Sequence, residues 1–142
     1  MDAVRAQATK YNVVVIGDAC QAQGAGYVSK KDTVWKKAGS MGLASAFSFD
    51  PGKNLGACGE AGSTTTNDEA MAKHVKMLRD HGQAKMYYHD IEDYSGRLDS
   101  IQAGWLFVKL PHFTGWIIYR PQHAPRTPYT LQQASAALVF PG

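Results

Sequence analysis

The chain is poor in the residues that would carry several common kinds of chemistry. It has only two cysteines, Cys20 and Cys58, among 142 residues. Two thiols 38 positions apart are too few for a disulfide framework and too distant in sequence for a Cys-x-x-Cys pair. The five histidines, His74, His81, His89, His112 and His123, contain no His-x-x-x-His spacing, so no metal site is expected. Long apolar runs are missing too. Val13 to Ile16 is typical of the longest, and four residues cannot cross a bilayer. No apolar segment of the kind that drives secretion follows Met1, so a reducing cytoplasmic setting is the expectation. Acid is absent from the last third. Residues 1–99 hold twelve Lys/Arg and twelve Asp/Glu, whereas residues 100–142 hold Lys109, Arg120 and Arg126 and no carboxylate. The net charge of +3 therefore belongs to three scattered cations. A nucleic-acid surface gathers its basic residues on one element, and this chain does not.

What is present reads as an α/β protein. Val4, Ala8 and Tyr11 recur at helical spacing, predicting a helix over residues 2–10. The β-branched run from Val13 to Ile16 predicts a strand covered on both faces, as in parallel sheets. It leads into Gly17-Asp18, which sets a carboxylate at the strand's C-terminal end, where open α/β sheets bind ligands. Residues 22–44 read as loop with short β pieces. A second strand is predicted over 45–49, broken by Asp50-Pro51-Gly52, and a third over 63–66. Thr66 and Glu69 fit a capping box that opens a helix over 67–81, with Met71, Val75 and Leu78 as its apolar stripe and His81-Gly82 as its stop. Residues 83–97 read as polar loop. Leu98, Ile101, Trp105 and Val108 predict a last helix over 98–110, ended by Pro111. Trp105, Phe107 and Trp116 are expected in a core or an interface, and Cys20 and Cys58 as small buried side chains.

Two features converge on one sheet edge. Asp18 closes the first strand, and Lys53 follows the second in a turn of small residues that lets a ligand approach the backbone. A nucleotide P-loop is excluded, because Phe47 stands at its first glycine position and Asn54 follows the lysine. A lysine opposite a strand-end aspartate is compatible with a plain ion pair. It also suits a Schiff-base lysine holding a pyridoxal aldehyde, with the carboxylate keeping the pyridine nitrogen protonated.

The segments Val15-Ile16-Gly17-Asp18-Ala19-Cys20-Gln21-Ala22 and Ala46-Phe47-Ser48-Phe49-Asp50-Pro51-Gly52-Lys53-Asn54-Leu55-Gly56 closely resemble the DegT/DnrJ/EryC1/StrS family of sugar aminotransferases. Leu78-Arg79-Asp80-His81-Gly82-Gln83, Gly96-Arg97-Leu98-Asp99 and Gln102-Ala103 continue the resemblance in order. It implies a partial large domain of the PLP-dependent transferase fold of type I, the aspartate aminotransferase-like fold, truncated relative to the family. It implies that the cofactor is pyridoxal 5'-phosphate and that the intact enzyme is a homodimer. Its substrates would be a nucleotide-linked keto-sugar and an amino donor, commonly glutamate. By position, Lys53 matches the Schiff-base lysine and Asp18 the partner of the pyridine nitrogen. Gln21 matches the residue beside the cofactor ring, and Ser48 a hydroxyl that holds the cofactor phosphate. Gly17, Leu43 and Ala61 depart from the family's Glu, Asp and Gly, and Ser95 from an Asn that reaches a neighbouring subunit's phosphate. The resemblance is read over residues 1–116. Residues 117–142, with four of the six prolines, read as a divergent tail of the kind a shifted reading frame or a truncation leaves. The alternative reading is a non-catalytic remnant that binds the cofactor weakly or not at all.

Overall fold

The computed structural model describes residues 1–31 and 33–123. Most of the tail predicted over 117–142, with its periodic stretch from Leu131 to Val139, lies outside the described residues.

Helix α1 spans Asp2–Tyr11 and ends on Asn12, whose φ of 50° is left-handed, a conformation asparagine tolerates at a helix end. The first strand is shorter and later than the apolar run predicts. β1 is Ile16–Asp18, and Val13–Val15 only lead into it. Its register explains the difference. The neighbouring strand begins at Ala44, which pairs with Ile16, and upstream only the Val15 carbonyl is met, by Leu43 N–H at 2.8 Å. Nor is the run covered on both faces, since Val13, Val14 and Ile16 are all exposed in this chain.

After β1 the chain makes a short antiparallel ribbon, β2 (Gly26–Val28) with β3 (Trp35–Lys37), the β pieces expected in the loop. It is tied to α1 by Lys30 N–H donating to Asp2 Oδ2 at 2.8 Å. β4 (Ala44–Ser48) then runs parallel to β1, and β5 (Gly62–Thr66) runs antiparallel to β4. The sheet order is β1-β4-β5. Thr65 and Thr66 fasten β5 by donating to the carbonyls of Gly39 and Leu43 at 2.7 and 2.6 Å.

Helix α2 spans Glu69–Leu78, and its cap is Asp68 rather than Thr66. The Asp68 carboxylate accepts Met71 N–H at 2.8 Å. Thr66 is held in β5 opposite Ala44, so its hydroxyl serves Asp68 N–H instead, at 3.0 Å. The chain leaves α2 through His81 and Gly82, with φ of 60° and 63°, and Gly82 N–H closes on Met77 at 2.9 Å. The segment read as polar loop contains a small hairpin, β6 (Gln83–Lys85) with β7 (Tyr88–His89).

Helix α3 overturns the predicted stop at Pro111. It runs from Ser100 to His123. A proline inside a helix removes one N–H, here the donor to the Phe107 carbonyl, at a cost of about 3 kcal/mol. Side chains on either side of Pro111 are in contact, and one of these contacts, Lys109 with Trp116, spans it. Lys109 Nζ lies 5.9 Å from the centres of both the Trp105 and Trp116 rings, and His112 stacks on Trp116 at 6.1 Å.

A hydrophobic core cluster lies between α3 and the loop after β4. Leu55, Ala57 and Leu106 are buried there, with Phe49, Ala61, Leu98 and Phe113 packed around them. Trp105, Phe107 and Trp116 are not core residues, being 49%, 78% and 42% exposed. Cys58 is exposed and Cys20 half-buried, and both are free thiols. The two cysteines therefore depart from the expected burial.

Candidate functional site

Because β1 and β4 are parallel, their C-terminal ends open on the same sheet edge. Asp18 is the last residue of β1, and its register partner is Ala46. Ser48 is the last residue of β4, and the turn carrying Lys53 starts just beyond it. The topology thus brings Asp18, Ser48 and the Lys53 turn to the edge where α/β sheets hold ligands.

Side-chain and backbone bonds together shape the turn. Ser48 Oγ accepts Asp50 N–H at 3.2 Å, and Asp50 Oδ1 accepts Gly52 N–H at 2.8 Å. Lys53 N–H donates to the Asp50 carbonyl at 2.9 Å. The chain returns across Phe49, whose carbonyl accepts Ala57 N–H at 2.7 Å. Gly56 lies so close under Asp50 and Pro51 that a Cβ there would sit 2.5 Å from the Pro51 carbonyl oxygen. Helix α3 braces the far side. Lys109 Nζ donates to the Gly56 carbonyl at 2.5 Å, and Gln102 Oε1 accepts Cys58 N–H at 2.8 Å.

Asp18 is an anion here. Cys20 N–H donates to its Oδ1 at 3.0 Å and holds the carboxyl below the usual carboxylate range, with the Cys20 thiol and the charge of Lys53 adding to the effect. The same carboxylate, together with burial, pushes the Cys20 thiol up, away from a reactive thiolate. Lys53 is half-buried, and its charge is felt at both Asp18 and Cys20. Among the described residues no three His, Cys, Asp or Glu side chains gather into a metal-holding group.

Of the residues singled out in the sequence, Asp18, Ser48 and Lys53 are brought together. Gln21 stands exposed on the turn after β1. The buried glutamine of that turn is Gln23, which sequence reasoning missed. Its Nε2 donates to the carbonyls of Ser48 at 2.6 Å and Leu55 at 3.3 Å, and its Oε1 accepts Leu55 N–H at 2.6 Å. Lys109 was missed as well. No local pattern signals either residue, because their partners lie 25 to 53 positions away. The departure at Gly17 has a local counterpart, since a side chain there would run into the hydroxyl of the buried Ser45.

A carboxylate held anionic, an amine whose charge reaches it and a hydroxyl thus stand at one strand edge. The DegT/DnrJ/EryC1/StrS aminotransferase family model matches residues 1–141, and the chain belongs to that family. The match runs past residue 116, where the sequence reading placed the end of the resemblance. The chain is 41% identical over 139 residues to the pleiotropic regulatory protein of Geobacillus stearothermophilus, covering 98% of this chain and 36% of that protein. It is 37% identical over 116 residues to a dTDP-3-amino-3,4,6-trideoxy-alpha-D-glucose transaminase of Streptomyces venezuelae, covering 82% of this chain and 29% of the enzyme. The crystal structure of S. venezuelae DesV in complex with a ketimine intermediate superposes with a TM-score of 0.73 at 36% identity, over 81% of this chain and 29% of that one. The chain spans about a third of the length of the curated relatives it matches. Its fold is accordingly a part of the α/β fold of these sugar aminotransferases.

Proposed function

We propose that this chain is the cofactor-lysine segment of a PLP-dependent aminotransferase that moves an amino group, commonly from glutamate, to a nucleotide-linked keto-sugar. The observation that carries the reading is that the parallel strands β1 and β4 bring Asp18 and the turn of the half-buried Lys53 to one sheet edge. The donor set fits pyridoxal 5'-phosphate. When bound, that group supplies an electron sink for negative charge developing on the carbon next to its nitrogen. Asp18 would hold a proton on the ring nitrogen, which requires a carboxylate that stays ionised. Lys53 Nζ would hold the carbonyl carbon and carry a proton to and from the reacting carbon. Ser48, whose oxygen accepts from Asp50 N–H, keeps its own O–H to donate to the phosphate. Gln21 would stand beside the ring. In this reading residues 1–116 are the central part of the cofactor-binding large domain, and the intact enzyme works in the cytoplasm as a homodimer.

A second reading, a non-catalytic piece that binds the cofactor weakly or not at all, is favoured by one observation. Asp18 and Gln21 are themselves exposed, so the chain by itself does not exclude water there. One experiment separates the two. The protein is incubated with pyridoxal 5'-phosphate, treated with borohydride to fix the aldehyde to the amine that holds it, and mapped by peptide mass spectrometry. The first reading expects selective labelling of Lys53, lost in Lys53→Ala. Labelling spread evenly over the lysines would overturn it. Amino transfer to a nucleotide-linked keto-sugar then tests catalysis, and the second reading expects none.

A further inference from the structure

We propose that Gln23 is a positioning residue, a buried carboxamide that sets the Lys53 turn against the strand end carrying Asp18. The proposal rests on the reading of Lys53 as the cofactor lysine. Its geometry stands independently of that reading.

The bonds internal to the turn, among Ser48, Asp50, Gly52 and Lys53, shape it without tying it to the Asp18 side of the site. Gln23 makes that tie. It lies in the turn that follows β1, five residues after Asp18, and is only 6% exposed. One amide proton goes to the Ser48 carbonyl, the other to the Leu55 carbonyl, and the amide oxygen takes Leu55 N–H. The side chain therefore grips both ends of the segment from Ser48 to Leu55, within which Lys53 stands.

Few side chains could replace it. The site uses two donors and one acceptor on one planar group. Glutamate keeps the acceptor and loses both donors, setting a negative charge against two carbonyl oxygens. Asparagine falls one methylene short. Neutral histidine offers a single donor. Losing the amide strands three main-chain groups, those of Leu55 in a buried position.

The test compares Gln23→Met, similar in length but without polar atoms, with Gln23→Glu and with Val75→Ala, which thins α2 away from the site. Two quantities are read in the full chain: the hydrogen-exchange protection of Leu55 N–H, and the pyridoxal 5'-phosphate concentration giving half-maximal borohydride fixation at Lys53. Gln23→Met should lose about tenfold in protection at Leu55, Gln23→Glu, which keeps the acceptor for Leu55 N–H, should lose less there, and both should require about tenfold more cofactor at Lys53. Labelling of the exposed Lys73 should stay constant. Val75→Ala should keep both site readouts even where its melting temperature falls as far as that of Gln23→Met. Protonation of the new carboxyl in Gln23→Glu, at a pH that its buried, carbonyl-facing position raises above the ordinary glutamate range, restores one donor and should recover part of the lost stability. The cofactor requirement of the glutamate variant thus serves where the methionine variant is too unstable to measure.

The proposal is overturned if Leu55 protection in Gln23→Met and the cofactor requirement of Gln23→Glu both stay within twofold of the unmodified chain, or if Val75→Ala loses as much at both readouts. If the unmodified chain shows no selective fixation at Lys53, it is the cofactor reading that fails. The exchange measurement then decides by itself whether Gln23 sets the turn.

Discussion

Two glycines, Gly56 and Gly104, should respond in opposite directions to the same substitution. At Gly56 an added Cβ would meet only backbone: the Pro51 carbonyl oxygen at 2.5 Å, and the Asp50 oxygen and Pro51 carbonyl carbon at 2.9 Å. None of these is the far end of a flexible side chain, so relief requires moving the Asp50–Pro51 peptides themselves. Overpacking of this kind costs about 1–3 kcal/mol. The lower entropy of an unfolded alanine offsets about 0.4–1 kcal/mol. The net expectation is destabilisation of about 1–2 kcal/mol. For a chain of 142 residues that corresponds to a fall in melting temperature of roughly 3–7 °C. At Gly104, on the exposed side of α3, an added Cβ meets nothing within 4 Å. Alanine there should stabilise the helix by about 0.5–1 kcal/mol and raise the melting temperature by roughly 2–3 °C. Circular dichroism melts of the two variants and the unmodified chain measure both effects. Because the Asp50 carbonyl that Gly56→Ala displaces accepts Lys53 N–H, that variant should also weaken cofactor fixation at Lys53, whereas Gly104→Ala should not. A Gly56→Ala variant within about 0.5 kcal/mol of the parent, or a Gly104→Ala variant that melts as low as Gly56→Ala, would refute the packing argument.

Three further outcomes are expected. The Asp18 carboxyl should titrate below the usual carboxylate range. A depressed folded value means that its contribution to stability is present above the unfolded pKa and is lost as pH falls through the folded one. Carbon-detected NMR should show that midpoint rising in Lys53→Met, and an unchanged midpoint would remove Lys53 from the field at Asp18. Asp68→Ala should cost about 1 kcal/mol in urea denaturation by stripping the cap from Met71 N–H, whereas Glu69→Ala, which loses only an exposed pair with Lys73, should cost less than about 0.5 kcal/mol. Lys109→Met should cost about 1–2 kcal/mol by removing the bond to the Gly56 carbonyl and the contacts with Trp105 and Trp116, and should raise hydrogen exchange along residues 55–58.

The sequence by itself determined what depends on neighbours a few positions apart. The α1 stripe, the apolar face of α2, the break at Asp50-Pro51-Gly52 and the stop at His81-Gly82 are local steric and propensity effects, and each lies where the residue pattern puts it. The resemblance through Asp18, Ser48 and Lys53 was legible for a similar reason, because those residues sit in short contiguous segments of constrained turn chemistry. Tertiary structure decided the rest. β1 starts at Ile16 because β4 offers its first partner there, and no propensity of Val13–Val15 could announce that. Asp68 takes over the cap of α2 because sheet pairing holds Thr66 in β5. Helix α3 continues past Pro111, with Lys109 before the proline and Trp116 after it in contact across it. Gln23 and Lys109 matter to the Lys53 turn only because folding brings them to carbonyls 25 to 53 residues away. Hydrogen bonds at such separations follow no helix or strand period. The residues that match the family's motifs could therefore be read from the chain, while the framework that surrounds them exists only in three dimensions.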